Sequence, residues 1–301
     1  MSSEIRLRLP ATSANLGAAF DTAAIALGFY LEIQAETADE FSISATGRNA
    51  DICSKLENNL ILDTYRSVLD RAGSTVVPIA VTMQNQIPLG MGCGSSAAGR
   101  LAGIAMAVHF GKLGWTSTQI LEDACALEGH PDNAAACWLG GLVVAASGGR
   151  SVHAARVVPP TEWLAMVVLP RDPLPTSKAR AVLPDFYSRV DTVANIQAAS
   201  LLALAFAQGR GDLLRAAVSD RIHQPYRAEI CPLLPVLLPL AGANGILAVA
   251  LSGAGPAMLL ILECKSAIEP ATAAVLGAVQ SSFEVEILIT EFETSGACGV
   301  G

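Results

Sequence analysis

Hydrophobic and polar residues follow two different periods along the first part of the chain. Strict alternation from Ile5 to Leu9 predicts an opening strand that ends at Pro10. Residues 59–72 instead repeat apolar side chains at helical spacing. The small-residue segment 11–21 follows neither period, and we predict a loop there. Apolar and β-branched runs predict further strands at 28–35, 41–45 and 76–83.

The middle of the chain is predicted to be mainly helical. Residues 97–110 are apolar on all sides, which predicts a buried helix. Thr116-Ser117-Thr118-Gln119 has the spacing of a capping box and should start a helix that runs to about Leu127. Gly129-His130-Pro131-Asp132-Asn133 interrupts this pattern and starts a third helix, with proline in its first turn. Gly140-Gly141 should end that helix before a strand at 142–146.

From about Trp163 the alternation of strands and helices begins again. Pro159-Pro160 is suited to a domain boundary, so we predict an α+β protein with two domains, 1–160 and 161–301. The second domain is predicted to contain strands at 164–169, 246–251, 257–262 and 285–289, with helices at 190–208, 213–219 and 268–281.

The chain has 301 residues, of which 52% are hydrophobic, so membrane insertion has to be considered. The longest stretch without a charged residue, 231–262, contains four prolines and four glycines, which is unsuited to a bilayer span. No basic run leads into an apolar segment at the N-terminus, so no secretory signal is visible. We therefore expect a cytoplasmic protein that does not insert into a membrane.

Charge and sulfur chemistry exclude several further classes of protein. The net charge is −8 and the basic residues are scattered, so no nucleic-acid or anionic-membrane surface is indicated. The seven cysteines include no Cys-x-x-Cys pair and the four histidines are dispersed. We therefore predict reduced thiols, without a disulfide framework or a zinc site.

The segment 88–99 has the composition of an anion-binding loop. Three glycines alternate with other residues in Pro88-Leu89-Gly90-Met91-Gly92-Cys93-Gly94-Ser95-Ser96, and an alanine-rich helix follows at once. Backbone N–H groups arranged in this way against a helix N-terminus hold anions such as a polyphosphate. A serine hydroxyl at the helix start could meet the Mg²⁺ of that polyphosphate.

Other glycine motifs fit this segment less well. A Walker loop needs a lysine, which is absent, and a nucleophile elbow needs glycine where Ala98 stands. Gly92-x-Gly94 approaches a dinucleotide fingerprint, but Pro88 interrupts the preceding strand, and the first acidic residues after the loop are Glu122 and Asp123. A dehydrogenase is therefore the weakest of the functions considered.

The loop is similar to the phosphate loop of the GHMP kinases, the small-molecule kinases named for galactose, homoserine, mevalonate and phosphomevalonate. Cys93 stands where that loop usually carries leucine, which would leave a thiol beside the nucleotide. Further blocks, in family order along the chain, resemble homoserine kinases in particular: 10–21, 128–133, 176–184, 223–227 and 251–256.

The resemblance implies both a fold and an activity. The N-terminal domain would resemble the second domain of ribosomal protein S5, the C-terminal domain would be ferredoxin-like, and ATP would bind between them. The activity would be ATP-dependent phosphorylation of the side-chain hydroxyl of L-homoserine to O-phospho-L-homoserine, a step of threonine biosynthesis. Dimers are common among such kinases, so a homodimer is one expected form, although the sequence shows no interface.

Homoserine presents a carboxylate, an ammonium and a primary hydroxyl, and candidates for each lie in the resembling blocks. Arg180 and Arg227 can bind a carboxylate through paired N–H donors. Asp21 can accept from the ammonium, with Asn15 lining the same pocket. Thr176 opens the block that contains Arg180, and it is predicted to contact substrate.

The block 128–133 implies the catalytic groups. In the resembling family it faces the hydroxyl that is phosphorylated, which makes Asp132 and His130 candidates, with Asp132 the stronger. Mevalonate-type relatives use an aspartate as base where Asn133 stands, so whether a side chain removes the proton stays open. Glu128 and Ser96 would correspond to the family's Mg²⁺ ligands, with Glu122 as the rival carboxylate.

Two other functions remain open from the sequence. Another GHMP kinase, acting on mevalonate or a sugar, would not need two guanidinium groups beside Asp21. A catalytically silent nucleotide-binding homologue could lose Glu128, Ser96 and Asp132 freely, yet all three are present. Both arguments favour a kinase of a zwitterionic alcohol.

Overall fold

A computed structural model describes residues 4–149, 151–280 and 282–300 of the chain. The strands are β1 (Glu4–Asn15), β2 (Ala19–Thr37), β3 (Ser42–Gly47), β4 (Ile79–Asn85), β5 (Leu142–Gly148), β6 (Ser151–Val157), β7 (Leu164–Pro170), β8 (Ile246–Leu251), β9 (Met258–Leu262), β10 (Val285–Glu291) and β11 (Cys298–Val300). The helices are α1 (Ala50–Cys53), α2 (Leu60–Arg71), α3 (Ser95–Phe110), α4 (Ser117–Glu128), α5 (Asp132–Leu139), α6 (Thr176–Ala181), α7 (Arg189–Ala207), α8 (Gly211–Ala217), α9 (Gln224–Arg227), α10 (Leu233–Leu237) and α11 (Ile268–Val279).

The first sheet is built around the long strand β2. Its main path runs β11-β1-β2-β4-β3, and β5 pairs with both β2 and β6. The β3–β4 pair is parallel and the other pairs are antiparallel. Helices α3 and α5 pack against β1 and β2, and the core between them is rich in alanine and leucine. Small side chains let these helices approach the sheet closely, which brings their N-termini to one site.

The second sheet has four antiparallel strands in the order β10-β7-β9-β8. Counted along the chain, this order is 4-1-3-2, and helices connect the first to the second strand and the third to the fourth. That is the β-α-β-β-α-β arrangement of a ferredoxin-like domain. Its strands β7, β8 and β9 are buried almost throughout, as their continuous apolar runs predict.

The chain returns to the first sheet after β10. The Glu293 backbone N–H donates to the Ala26 carbonyl at 3.1 Å, Phe292 forms a bridge with Leu27, and β11 pairs with β1. The two sheets are thus joined by the link between β6 and β7 and again by the closing segment, which lies in the predicted domain 161–301.

The apolar periods locate most elements closely, but the predicted loop 11–21 is wrong. Strand β1 continues through Pro10 as far as Asn15, with a register shift at Pro10, where a missing N–H is tolerated. Helices α3 and α5 pack against β1. The structure also contains β6, β11, α1 and α6, for which the apolar pattern provides no signal.

Helix α7 meets the length and composition criteria for a membrane span. One such helix is weak evidence for a span, and α7 packs against α8 and β2.

Candidate active site

One cleft of about 320 Å³ brings the predicted residues of the two halves together. Blocks as far apart in sequence as 10–21 and 223–227 face the same space as the phosphate loop. Among the residues lining it are all the predicted catalytic and substrate-binding residues together with part of the glycine loop: Asn15, Asp21, Gly90, Gly92, Gly94, Ser95, Ser96, Glu128, His130, Asp132, Thr176, Arg180 and Arg227.

The glycine loop has the backbone conformation that its sequence predicts. Gly90, Gly92 and Gly94 have φ values of 69°, 82° and 72°, and Gly94 is the residue before the first turn of α3. The second domain holds the loop, because the Ser252 hydroxyl donates to the Gly92 carbonyl at 2.8 Å. A Cβ atom at Gly92 would lie 2.1 Å from the Ser252 carbonyl oxygen. Glycine is therefore required there by conformation and by contact.

The remaining loop residues do not line this cleft. Pro88, Leu89 and Met91 line a second depression of about 350 Å³ between the two sheets. Cys93 is only 1% exposed and belongs to the core, where burial raises the pKa of its thiol to about 12. Its thiol therefore faces the core and not the cleft, contrary to the expectation of a thiol beside the nucleotide.

An apolar pocket of about 370 Å³ adjoins the cleft and shares Gly90, Ser95, Ser96 and Thr176 with it. Its walls come from β2, α1, α2 and β4, and Leu89 of the glycine loop also lines it. Asn59 and Asn85 also line it, but both side chains are used by backbone groups of their own loops. The pocket can accept a flat apolar ring whose attached phosphates would reach the glycine loop.

Ser96 and Glu128 form a compact oxygen pair at the start of α3. The Ser96 hydroxyl donates to Glu128 Oε1 at 2.6 Å. A hydroxyl and a carboxylate are hard oxygen ligands, so the pair fits the Mg²⁺ that family resemblance implies. Glu122, also on α4, is not among the residues that line the cleft.

Arg100 also lines the cleft and was not among the residues predicted from the sequence. Its Nε donates to the same Glu128 Oε1 at 2.6 Å. The available signal was that Arg100 is the only lysine or arginine between Pro88 and Gly111.

Asp21 and Arg180 contact each other. Arg180 Nη1 and Nη2 donate to the two Asp21 carboxylate oxygens at 3.0 and 2.6 Å. Asn15 supports Asp21, because Asn15 Oδ1 accepts from the Asp21 N–H at 2.9 Å, and Asn15 Nδ2 donates to the Gly253 carbonyl at 2.8 Å. Asn15 and Asp21 have φ values of 70° and 52°, a strained conformation of the kind found at functional sites.

Arg227 is 1% exposed overall, yet it lines the cleft. Its Nε donates to the Ala179 carbonyl at 3.0 Å, and its Nη1 contacts His223 Nδ1 at 3.1 Å and the Gly253 carbonyl at 3.3 Å. Burial lowers the pKa of Arg227, and the positive charge of Arg180 lowers it further. The two guanidinium groups repel each other, so an anion placed between them would be stabilised.

His223, a buried residue missed as a candidate, orients Arg227. Its Nε2–H donates to the Gly17 carbonyl at 2.8 Å, which leaves Nδ1 to accept from Arg227. Burial lowers the pKa of His223 to about 4, although nearby Asp220 opposes the change. The neutral imidazole therefore ties the β1–β2 turn to α9. Its place in the block 223–227 was the signal available in the sequence.

His130 and Asp132 form a second pair. His130 Nδ1–H donates to Asp132 Oδ1 at 2.6 Å, and this oxygen also accepts from the Asn133 N–H at 2.7 Å. Burial alone would lower the pKa of His130, but the hydrogen bond and charge of Asp132 outweigh it and raise the pKa. Asn133 Oδ1 accepts from the Thr12 hydroxyl at 2.7 Å.

Asp21, His130 and Asp132 could together provide three ligand atoms, which lie within 4.8 Å of one another. Arg180 already donates to both oxygens of Asp21, and His130 Nδ1–H donates to Asp132 Oδ1. The three side chains are therefore already engaged with one another and with Arg180, which does not favour a metal at this point.

Family comparisons agree with the fold and the cleft. The family described as "GHMP kinases N terminal domain" matches residues 59–141, and "GHMP kinases C terminal" matches 202–280. The chain therefore belongs to the GHMP kinases, and the predicted two-domain fold of that family is confirmed.

Relatives define the branch within the family. The chain is 44% identical over 263 residues to a homoserine kinase of Solibacter usitatus, covering 87% of this chain and 86% of that protein. A homoserine kinase of Deinococcus radiodurans is 39% identical over 262 residues, covering 86% and 85%. The solved structure of a putative homoserine kinase from Listeria monocytogenes matches with a TM-score of 0.79 and 27% identity, over 99% of both chains. The chain is thus an enzyme of the homoserine kinase branch.

Proposed function

We propose that the chain transfers the γ-phosphoryl group of ATP to the side-chain hydroxyl of L-homoserine, giving O-phospho-L-homoserine. The observation that carries this proposal is the composition of one cleft. Its glycine loop suits a polyphosphate, while Asp21 lies opposite two guanidinium groups, those of Arg180 and Arg227. A zwitterionic amino acid needs both signs of charge, whereas a sugar needs neither.

The apolar pocket beside the loop suits the adenine ring. ATP bound there would direct its phosphates along the glycine loop toward Ser96 at the N-terminus of α3. The aligned backbone dipoles of that helix favour negative charge. Pro88, Leu89, Met91 and Cys93 would support the loop rather than contact the phosphates through their side chains.

Ser96 and Glu128 would hold Mg²⁺, which would neutralise charge on the β- and γ-phosphate oxygens. The protein contributes alignment of the phosphoryl group with the acceptor and loop amides directed at the developing charge.

The acceptor would bind at the other end of the cleft. Arg180 and Arg227 would hold the carboxylate, and Asp21 the ammonium, with Asn15 and Thr176 lining the same space. Arg180 has further N–H donors beyond those it shares with Asp21, so it can serve both carboxylates. The substrate would thereby join an existing ion pair instead of entering an uncharged pocket.

Asp132 is the candidate to orient the hydroxyl. One of its oxygens is held by His130 and the Asn133 backbone, which fixes the carboxylate in the cleft. Asn133 is not a useful base, since a side-chain amide does not accept a proton near neutral pH. With a loose transition state, removal of the proton contributes little to the rate. An Asp132→Asn variant that keeps near-normal turnover would remove Asp132 from the mechanism.

The proposal is tested by ADP release from purified protein with Mg-ATP and a panel of L-homoserine, L-threonine, mevalonate and galactose. We expect release to depend on homoserine and the product to carry one phosphoryl group by mass spectrometry. Release that is no greater with homoserine than with the other alcohols would contradict the proposal.

Two expectations about assembly and location are proposed alongside this activity. A homodimer predicts twice the chain mass of 31.1 kDa in light scattering at micromolar concentration. If the protein is cytoplasmic, we expect to recover it from lysed cells in the supernatant after the membranes are sedimented.

A further inference from the structure

The phosphate loop of this chain contains no lysine, yet a cation lies beside its helix. Arg100 is one helical turn after Ser96 on α3, and side chains on a helix lean toward its N-terminus. Arg100 and Ser96 meet at the same oxygen of Glu128, each at 2.6 Å. The guanidinium group of Arg100 therefore lies where the β- and γ-phosphates are proposed to bind.

Two nitrogens of Arg100 remain available to a ligand. The hydrogen bond to Glu128 uses Nε, and none of the contacts found among the described residues 4–149, 151–280 and 282–300 engages Nη1 or Nη2. Arg100 is 27% exposed in its side chain and lines the cleft, while Glu128 is 8% exposed. A guanidinium group fixed at one nitrogen loses little further entropy when its other nitrogens bind.

The other cations of the cleft have different partners. Arg180 is paired with Asp21, and Arg227 is held by Ala179, His223 and Gly253. Both lie at the end proposed for the carboxylate of the acceptor. Of the arginines that line the cleft, Arg100 is thus the one at the phosphate end.

We propose that Arg100 is a catalytic residue that binds the γ-phosphoryl group through Nη1 and Nη2, replacing the loop lysine of other phosphate-binding proteins, while Nε positions Glu128. In the transfer, the bond from γ-phosphorus to the β–γ bridging oxygen breaks and a bond to the acceptor oxygen forms. ADP leaves with the bridging oxygen and the hydroxyl proton passes to solvent. Arg100 changes no bond and stabilises the charge on the three transferred oxygens. The inference rests on the proposed phosphoryl transfer.

Arg100→Gln and Arg100→Lys test this role. We expect Arg100→Gln to lower kcat about 100-fold and to change KM for homoserine by less than about twofold. Arg100→Lys keeps the charge without the planar donor pair, so it should recover part of kcat. The control is Arg71→Gln, because Arg71 forms a bidentate pair with Asp123 on α4, the helix that carries Glu128, but does not line the cleft.

A binding measurement separates the two parts of the proposal without turnover. With Mg²⁺ and no acceptor, Arg100→Gln should bind a non-hydrolysable ATP analogue about tenfold more weakly and ADP almost as well as wild type. Equal losses for both nucleotides would reduce Arg100 to a support for Glu128 and overturn the proposal. A kcat within about threefold of wild type would also overturn it.

The same experiments distinguish failure of the proposed function. If the wild-type enzyme uses another alcohol of the panel, the kcat comparison is repeated with that alcohol, because Arg100 acts on the donor. The nucleotide comparison needs no alcohol. Thermal unfolding of each variant shows whether it is folded. If Arg100→Gln does not fold, the same measurements are made with Arg100→Lys.

Discussion

Arg180 and Asp21 form a bidentate ion pair across 159 residues of sequence and between the two halves of the protein. Their oxygen–nitrogen distances are 3.0 and 2.6 Å. Both residues are predicted to bind opposite ends of one zwitterion, yet without that substrate they bind each other. The pair holds each charge in position before the substrate arrives, which lowers the cost of ordering the site.

Replacing Asp21 by asparagine should weaken homoserine specifically. The ammonium loses a charge-assisted acceptor worth about 2 kcal/mol, so we expect KM for homoserine to rise about tenfold or more. KM for Mg-ATP should change little, because Asp21 is at the acceptor end. Steady-state kinetics with 4-hydroxybutyrate, which lacks the ammonium, should show less preference for homoserine than the wild type does.

The control for Asp21→Asn is Asp212→Asn. Asp212 pairs with Arg210 on an exposed surface, and such pairs contribute little to stability. Unchanged homoserine kinetics in Asp21→Asn would show that Asp21 is not the ammonium acceptor.

The buried His223 predicts a particular dependence of stability on pH. Its pKa in the folded protein is lowered to about 4, chiefly by burial, from an ordinary value near 6.5. Between these values the unfolded chain binds more protons, so the free energy of unfolding falls as pH falls. His223→Asn should therefore lose less stability than wild type between pH 7 and pH 4, by up to about 3 kcal/mol.

Urea titrations of both proteins at several pH values check this prediction. The groups facing His223 are Asp220, Arg227, Asp21, the Phe20 ring and the Gly17 carbonyl. The raised pKa of His130 acts in the opposite direction, but it is shared by both proteins and cancels in the comparison. If the free energy of unfolding changes with pH equally in wild type and His223→Asn, the pH dependence does not come from His223.

Gly92 and Gly114 form a matched pair for testing the phosphate loop. Both have positive φ, 82° and 69°, but a Cβ at Gly114 meets nothing within 4 Å, whereas one at Gly92 meets the Ser252 carbonyl at 2.1 Å. Gly114→Ala should cost about 1 kcal/mol of conformational strain. Gly92→Ala should lower the free energy of unfolding, measured by chemical denaturation, by at least about 2 kcal/mol more than Gly114→Ala does. It should also weaken ADP binding. Equal costs would show that the loop is free to move away from Ser252.

The cysteines should differ in reactivity. Burial raises the pKa of Cys93 to about 12, so little thiolate forms at pH 8 and access is blocked. Cys264 is only partly buried. Mass spectrometry after brief treatment with iodoacetamide should show Cys264 modified and Cys93 unmodified until the protein is unfolded. Early labelling of Cys93 that ADP prevents would instead place its thiol beside the nucleotide.

Local interactions explain what was predictable from the sequence. The capping box at Thr116 and Gln119 forms as expected, because its two hydrogen bonds lie within one turn. Gly90, Gly92 and Gly94 adopt positive φ values that glycine permits and most other residues do not. Strands β7, β8 and β9 of the second sheet could be predicted from their apolar runs, since buried strands are apolar throughout.

Packing between distant segments explains where the predictions from sequence were wrong or incomplete. Residues 11–15 extend β1 because they pair with β2, and a small-residue run without alternation gives no sign of this. Strand β6 has mostly exposed side chains, so it lacks an apolar period. The direction of the Cys93 thiol depends on how the loop meets the core, which its immediate sequence leaves open.

By itself, the sequence determined the chemical groups of this protein: a loop that can hold a polyphosphate, two guanidinium groups, an acceptor for an ammonium, and carboxylates near a helix start. Conformational preferences of glycine, proline and capping residues act over a few positions, so these features can be recognised locally. The tertiary structure decided which groups pair: Asp21 with Arg180, His223 with Arg227, and Arg100 with Glu128. Such pairs depend on how two sheets and their helices pack, because distances between remote side chains are set by the core and not by their neighbours in sequence.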